Sequence, residues 1–564
     1  MRVRDEPFNP TSVINDDKGT PIFNTTKAKE RWKEYFRELL NPTGENTEES
    51  PYIPPTPDND DCPILESEVE RTILDSPKNK APGPDGITAD TIRATGTIGV
   101  KWLHRIFKTA WKNMEVPEDW QKAVIIPIWK KKGNKRDCGT YRGISLLSHS
   151  GKIYAKILER RLRPIVDPQL SHCQFGFRRN KGCTDAIFTL RQMCEKAIEF
   201  DKDLNIVFVD QEKAFDRVNR NTLWKVLEKY GTDKQLLRNI MAFYEQSQGA
   251  VRTTSGLTEW FKINSGVRQG CVLSPLLFIA YMDNITQDAK RTEENETGAI
   301  RELLFADDQS LISEDHDALQ DHTSRLNTSC KNANMKISIA KTEAMNISRD
   351  PKTLVIDIDG HPIKQVNEFK YLGSMFSSDG KIDREIETRI QKANKVTYQI
   401  APLLTNQHIE MNVKRQIISS IFVPTLTYQC QSWTLTNPLK SKIQACEMRC
   451  LRKTINVTRR DRYKNNTIRT LIGTEPLQEY INRQQIKWFG HIIRMMPNET
   501  PSIAYTSRHS GRKARGRPRK RWIDGIKETL NTRNMTVTEA TQLAHHRRLH
   551  LPSTPHVGNR GRKK

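Results

Sequence analysis

Leu303-Leu304-Phe305-Ala306-Asp307-Asp308-Gln309-Ser310-Leu311-Ile312 sets two adjacent carboxylates between two apolar runs. Apolar pairs on both sides of a short polar centre predict a β-hairpin whose turn carries Asp307 and Asp308. Upstream, Ile206-Val207-Phe208-Val209 is an uninterrupted apolar run that ends on Asp210, where a helical pattern begins. Such a run reads as a buried strand. Hairpin and strand together would bring three acids to one end of a sheet, and acids crowded there repel and raise one another's pKa unless a cation neutralises them.

Magnesium suits that place, because it is a hard ion that takes oxygen ligands and is held by one or two carboxylates together with substrate phosphates. Two such ions roughly 4 Å apart can activate an attacking hydroxyl and stabilise the leaving group of an in-line displacement at phosphorus. An Asp-Asp turn by itself fits a solvated loop equally well. The ordered company of these acids carries the argument further. Between them lies Ser265-Gly266-Val267-Arg268-Gln269-Gly270-Cys271-Val272-Leu273-Ser274-Pro275, whose glycines permit close backbone approach and whose proline can open a helix. Upstream, Tyr141-Arg142-Gly143-Ile144-Ser145 and Gln174-Phe175-Gly176-Phe177-Arg178-Arg179 set cations beside glycine, and Lys78 to Gly86 reads Lys-Asn-Lys-Ala-Pro-Gly-Pro-Asp-Gly. Downstream come Ile337-Ser338-Ile339-Ala340-Lys341-Thr342-Glu343 and Phe369-Lys370-Tyr371-Leu372-Gly373.

This ordered set resembles the reverse transcriptases of non-LTR (LINE-like) retrotransposons, in the group whose complete polyprotein carries an apurinic-type endonuclease ahead of the polymerase. The resemblance runs from about Asn79 to Phe376, and more loosely through Trp433-Thr434-Leu435 and Trp488-Phe489-Gly490-His491 to Arg521-Trp522. It implies an RNA-directed DNA polymerase that copies RNA into cDNA, by two-metal nucleotidyl transfer to a primer 3′-hydroxyl. It also implies two Mg2+ ions, with Mn2+ as a substitute, and as partners an RNA template, a DNA primer or target DNA, and dNTPs. Asp210 and Asp307 resemble the family's metal-binding acids and Asp308 its third carboxylate. Phe215 resembles the bulky residue that excludes a ribose 2′-hydroxyl, the group that separates RNA from DNA chemically; aromatic packing at the strand–helix junction is the alternative reading. Gln269 and Gly270 resemble the pair bordering the incoming nucleotide. Arg142 resembles a residue reaching its triphosphate, which suits a planar fork of donors. Lys341 resembles a lysine near the pyrophosphate, against the plain alternative of a solvated surface side chain. Asp216 has no role in the resemblance and reads as a local cap or pair.

Composition agrees with a polyanionic partner. The 564 residues hold 91 Lys and Arg against 67 Asp and Glu, a net charge of +24, and the pI is near 9.5. A chain of that length supports several domains. Its ten cysteines lack the dense framework of a small secreted protein, and the first residues lack a signal peptide's apolar stretch, so reduced thiols in the cell interior are expected. Cys430, Cys446 and Cys450 stand near one another in sequence without the short-range ligand pairs of a zinc site. No apolar run approaches the ~20 residues that span a bilayer.

The fold class expected is α+β: a right-hand polymerase with fingers, a palm built on an antiparallel sheet, a thumb, and a basic, mainly helical C-terminal region. In residue terms, 1–63 is a polar connector with one helix around Ala28 to Leu40, 64–203 an N-terminal extension and fingers, and 204–376 the palm, forming the reverse transcriptase core with 110–203. Residues 377–460 are a helical thumb and 461–564 a basic region, partly disordered. No endonuclease precedes the connector here, so nicking activity is expected to be missing. Between Arg508 and Arg521 eight of fourteen residues are Lys or Arg. Within that run Arg515, Arg517, Arg519 and Lys520 resemble an AT-hook core that enters the minor groove of A·T-rich DNA. A nuclear-localisation signal or phosphate patch remains the alternative. Both point to a nuclear protein with a cytoplasmic stage. The reading from a different class is a noncatalytic nucleic-acid-binding protein derived from such an element.

Overall fold

The computed structural model describes residues 13–42, 52–53, 62–290, 300–507, 513, 516–546 and 549. Two compact units interleave along the chain: one takes 1–177, 211–295 and 325–338, the other 178–210, 296–324 and 339–564. The fold is α+β.

The first unit is built on a sheet in the order Tyr141–Leu146, Lys122–Trp129, Gln248–Thr253, Gly256–Leu257, with Phe261–Lys262 also pairing Gln248–Thr253. Lys122–Trp129 runs antiparallel to Tyr141–Leu146, with Ile128 opposite Arg142, and parallel to Gln248–Thr253. The helix Thr25–Leu40 starts at Asn24, whose side chain accepts the N–H groups of Thr26 and Lys27 and so satisfies two donors that the helix leaves open. Ala28, Trp32 and Phe36, four residues apart, form its buried stripe. They enter a core with Ile14, Ile125, Tyr141, Val251 and Phe261. Trp32 meets the Tyr141 ring edge-on at 5.1 Å, and Gly143 leaves room for Phe36, whose Cε1 would stand 2.6 Å from a Cβ there. Burying each such aromatic stabilises by about 1.5–3 kcal/mol. The stretch whose composition reads as a connector thus supplies part of a core, because three spaced apolar residues suffice for a face even in a polar segment.

Ser274–Asp288 carries Pro275 in its first turn, the position where a missing N–H breaks no bond. Its residues are buried on nearly every side, including Leu276, Leu277, Phe278, Ile279 and Tyr281. The apolar run that composition marks is therefore an internal helix. Among the described residues no helix is long and apolar enough to cross a membrane.

The second unit holds a five-stranded sheet in the order Lys364–Gln365, Glu343–Ile347, Leu204–Val209, Asp308–Ser313, Glu302–Phe305. All six residues of Leu204–Val209 are buried, Asn205 among them, as a largely apolar strand with neighbours on both edges requires. The helix Cys183–Glu199 packs against this sheet. Phe208 stacks on Phe369 with centroids 3.8 Å apart.

Beyond the sheet the unit is helical. Asp383–Thr405 and Asn437–Thr454 share a core that includes Ile386, Ala393, Ile400, Leu439 and Ile443, and Cys430, Cys446 and Cys450 are buried within it. Met411–Ile417 continues into a wider π-helical turn, Ile418–Phe422. Nearer the C-terminus, Leu477–Ile493, Trp522–Asn531 and Val537–His545 gather around Phe188, Ile486, Phe489, Trp522, Ile526 and Ala540. The described part of the basic C-terminal region is therefore helical and has an apolar core.

Candidate functional site

The end of the second unit's sheet follows from two registers. Asp308–Ser313 pairs antiparallel with the central strand Leu204–Val209 so that Gln309 faces Val209, and the next step of that register sets Asp308 opposite Asp210. On the other edge Glu343 faces Phe208, and the turn just before that strand brings Lys341 to Asp210. Residues directly across strands share a face of the sheet. Asp210 and Asp308 therefore form a row at the sheet's end, with Lys341 against Asp210 and Asp307 beside Asp308 in the turn.

Side-chain contacts agree with the register. The Lys341 Nζ lies 3.0 Å from Asp210 Oδ1, and the Asp210 N–H donates to the Thr342 hydroxyl at 3.3 Å. Desolvation pushes the Asp308 carboxyl up to about 6, and the charges of Asp307 and Asp210 add to the rise. Phe305 pairs with Asp308, so Ala306 and Asp307 alone connect the two strands. Ala306 sits at φ +59°, as the first position of a primed two-residue hairpin requires. A side chain in that left-handed region is strained by about 1–2 kcal/mol, and such strain clusters at functional turns.

The first unit carries a second constellation. Gln269 O accepts from the Ser145 N–H at 2.7 Å. Gly270 has φ +118°, and a Cβ there would stand 2.6 Å from Ser145 O, so this position requires glycine. Arg142 is exposed on Tyr141–Leu146, one register position from Gly143. The Phe215 ring stacks on Phe278 with centroids 4.2 Å apart and takes Phe177 edge-on at 6.3 Å. Packing thus accounts for one face of that ring, while the residue stays half-buried.

A family model for reverse transcriptase (RNA-dependent DNA polymerase) matches residues 129–376 and so takes in both constellations. Over that stretch, which is less than half of the chain, the sequence is similar to the reverse transcriptase family. The probable RNA-directed DNA polymerase from transposon X-element of Drosophila melanogaster is 26% identical over 385 residues, 66% of this chain and 42% of that protein. The Pol polyprotein from the type-1 retrotransposable element R2 of Popillia japonica is 28% identical over 394 residues, 66% of this chain and 52% of that protein. The chain spans about half the length of the curated relatives it matches. Among solved structures, a telomerase from Candida tropicalis aligns over 72% of this chain and 68% of its own at 14% identity, with a TM-score of 0.35.

Reverse transcriptases use divalent metal ions, and the donor chemistry at this sheet end fits one: hard carboxylate oxygens, of which Asp308 is held back from ionising by desolvation and, to a lesser degree, by the charges of Asp307 and Asp210. Among the described residues no three acids, histidines or cysteines are drawn together as a closed ligand set. Instead the Lys341 ammonium supplies the positive charge beside Asp210.

The long-range partners of three residues here carry no signal in the sequence. Arg220 is half-buried and donates to the carbonyls of Ile263 (2.8 Å), Ser265 (3.2 Å) and Gly266 (3.1 Å), and of Tyr244 (2.9 Å). Burial and the neighbouring Arg268 lower it to about 9. Arg268 donates to the carbonyls of Trp120 (2.7 Å), Gln121 (3.1 Å) and Phe243 (2.7 Å) and to the Ser247 hydroxyl (2.8 Å). Arg220 thus holds the loop that carries Gln269 by its carbonyls, and Arg268, from within that loop, ties it to neighbouring carbonyls and a serine hydroxyl. Asp216 pairs across the fold and not locally, accepting from Gln269 Nε2 at 3.0 Å. An arginine or aspartate beside a glycine loop carries no sequence signal for such distant partners.

The tail residues are placed unequally. Arg515 lies outside the described residues. Arg517 is exposed. Arg519 donates to the Asp379 carbonyl at 2.9 Å, and Lys520 pairs with Glu528 at 2.7 Å.

Proposed function

We propose that this chain copies RNA into DNA, adding deoxynucleotides to a primer 3′-hydroxyl. The row of Asp210, Asp308 and neighbouring Asp307 at one sheet end supports this reading most directly. In it, Asp210 and Asp307 would hold two Mg2+ ions, with Asp308 adjoining, and such ions would supply charge stabilisation for in-line nucleotidyl transfer. Lys341, now paired with Asp210, is the cation nearest that charge.

Gln269 and Gly270 border the incoming nucleotide, Arg142 meets its triphosphate and Phe215 excludes a 2′-hydroxyl. The close backbone approach at Gly270 and the half-buried, stacked ring of Phe215 support those roles. We assign 64–203 to an N-terminal extension and fingers, 204–376 to the palm and 377–460 to the thumb. Template RNA and primer or target DNA are the macromolecular partners, met by the basic surface and by Arg515, Arg517, Arg519 and Lys520. Chromosomal target DNA places the work in the nucleus, with a cytoplasmic stage.

Extension of a DNA primer on an RNA template by the purified chain with dNTPs and Mg2+ tests the reading. Magnesium-dependent lengthening is the expected result. A template gel shift without any lengthening would refute it in favour of a noncatalytic binder.

A further inference from the structure

The loop that carries Gln269 is laced to the short helix Ala214–Arg217 by backbone bonds. The Val267 N–H donates to Phe215 O at 2.9 Å and the Gly266 N–H to Val218 O at 2.9 Å. The Ser265 hydroxyl donates to Asp216 O at 3.1 Å. Gly266 has φ +77°, and a Cβ there would approach the Asp216 backbone to 2.8 Å, so helix and loop lie as close as main chain permits. Against this fixed frame the Asp216 carboxylate meets Gln269 Nε2 at 3.0 Å.

A carboxylate only accepts hydrogen bonds, and of the two ends of a carboxamide only the nitrogen donates. The pairing therefore settles which way the Gln269 amide faces: Nε2 toward Asp216, Oε1 away from it. Burial pushes the Asp216 carboxyl up to about 6, while the bond from Gln269 and the charges of Lys213, Lys130 and Arg142 oppose that rise. At neutral pH the group is therefore chiefly the acceptor-only carboxylate.

We propose that Asp216 is a positioning residue for nucleotide selection: it holds the Gln269 amide so that Oε1 is presented as an acceptor to a hydrogen-bond donor on the incoming nucleoside triphosphate. The proposal rests on the reading of Gln269 given above. Asp216 itself touches no substrate in it. A wrongly turned amide would offer a donor where an acceptor is needed, a penalty that falls on nucleotide binding.

Single-nucleotide insertion on an RNA template, measured for the full chain as wild type, Asp216→Asn, Gln269→Ala and the double variant, tests the inference. Asparagine keeps the shape of aspartate but can accept from Nε2 or donate to Oε1, so the fixed orientation is lost. Asp216→Asn should raise the KM for dNTP roughly tenfold with kcat held within about threefold, a split that marks lost ground-state binding. The same substitution made on Gln269→Ala should add nothing, since a residue acting through another has no effect once that other is gone. Asp216→Ser, with a smaller hydroxyl acceptor and donor, repeats the cycle should the asparagine variant fold poorly, and thermal midpoints are read for all variants.

Additive effects, an unchanged KM, or a fall in kcat that tracks a lowered thermal midpoint would each overturn the positioning role while leaving the polymerase reading in place. A wild-type chain that lengthens no primer would bring down the polymerase reading, and this inference with it.

Discussion

Asp210 has a lysine at one edge of its strand and an acid across the other, and this asymmetry organises the site. The ammonium of Lys341 neutralises Asp210 directly, whereas Asp308 has two acid neighbours and a raised pKa. Divalent cations would relieve that repulsion more fully than one ammonium. Asp307→Asn deletes a proposed metal ligand and leaves the basic surface intact, so we expect primer extension to fall by roughly a hundredfold or more. Template affinity in a gel shift should remain at the wild-type level, and normal extension by that variant would refute the assignment. Gly270→Ala forces a Cβ to within 2.6 Å of a carbonyl oxygen at a φ of +118°. The loop must move by several tenths of an ångström, and a rise of roughly tenfold in KM for dNTP is the expected reading, since displacement of a positioning loop weakens binding.

At the scale of elements, the hairpin and the C-terminal helices each rest on one demanding contact. Ala306 in the left-handed region tolerates glycine but not a β-branched side chain. Ala306→Val should destabilise the second unit by about 2 kcal/mol in denaturant unfolding. Glu195, on Cys183–Glu199, accepts the Trp522 N–H at 2.7 Å and the Thr434 hydroxyl at 3.2 Å, and so ties the start of Trp522–Asn531 to that helix. Burial outweighs both bonds and pushes this carboxyl up to about 7. Between the unfolded value near 4.5 and 7 the folded state holds the proton and the unfolded state releases it, so Glu195 lowers stability as pH rises through that window. Glu195→Gln keeps both acceptor bonds without the buried charge. The variant should melt at the wild-type temperature near pH 4 and above it at pH 8, in thermal scans of the two proteins side by side; equal midpoints at pH 8 would count against a buried charge there.

For the whole molecule, a net charge of +24 would make affinity for the proposed RNA template an electrolyte effect in large part. Between 50 and 200 mM salt the template affinity should fall by roughly a thousandfold in a binding titration, and by the same factor for Asp307→Asn. A salt-insensitive affinity would mean that base contacts and stacking dominate. The described part of the tail is not simply free charge: Lys520 is paired with Glu528 and Arg519 with a carbonyl, which leaves the exposed Arg517 as the described cation of that motif most available to a phosphate. Charge counting alone overstates this segment, since composition cannot tell a solvated arginine from one already engaged.

Local pattern sufficed for the elements that bear the acids. An apolar run ending on Asp210 and two apolar pairs around Asp307-Asp308 specify a strand and a hairpin within a few residues, so they are legible without knowing any partner, and Pro275 marks the start of its helix in the same way. Long-range register was not legible. That Lys341 rather than another lysine meets Asp210 depends on pairing between segments more than 130 residues apart, and the recruitment of Arg220 and Asp216 to the loop that carries Arg268 depends on burial that no local period encodes. The amino-acid sequence by itself therefore determined which side chains could do chemistry and on what kind of element each would stand. Only the tertiary structure decided which of them meet, because a hydrogen-bonding partner is chosen by the packing of distant segments and not by the residues beside it in the chain.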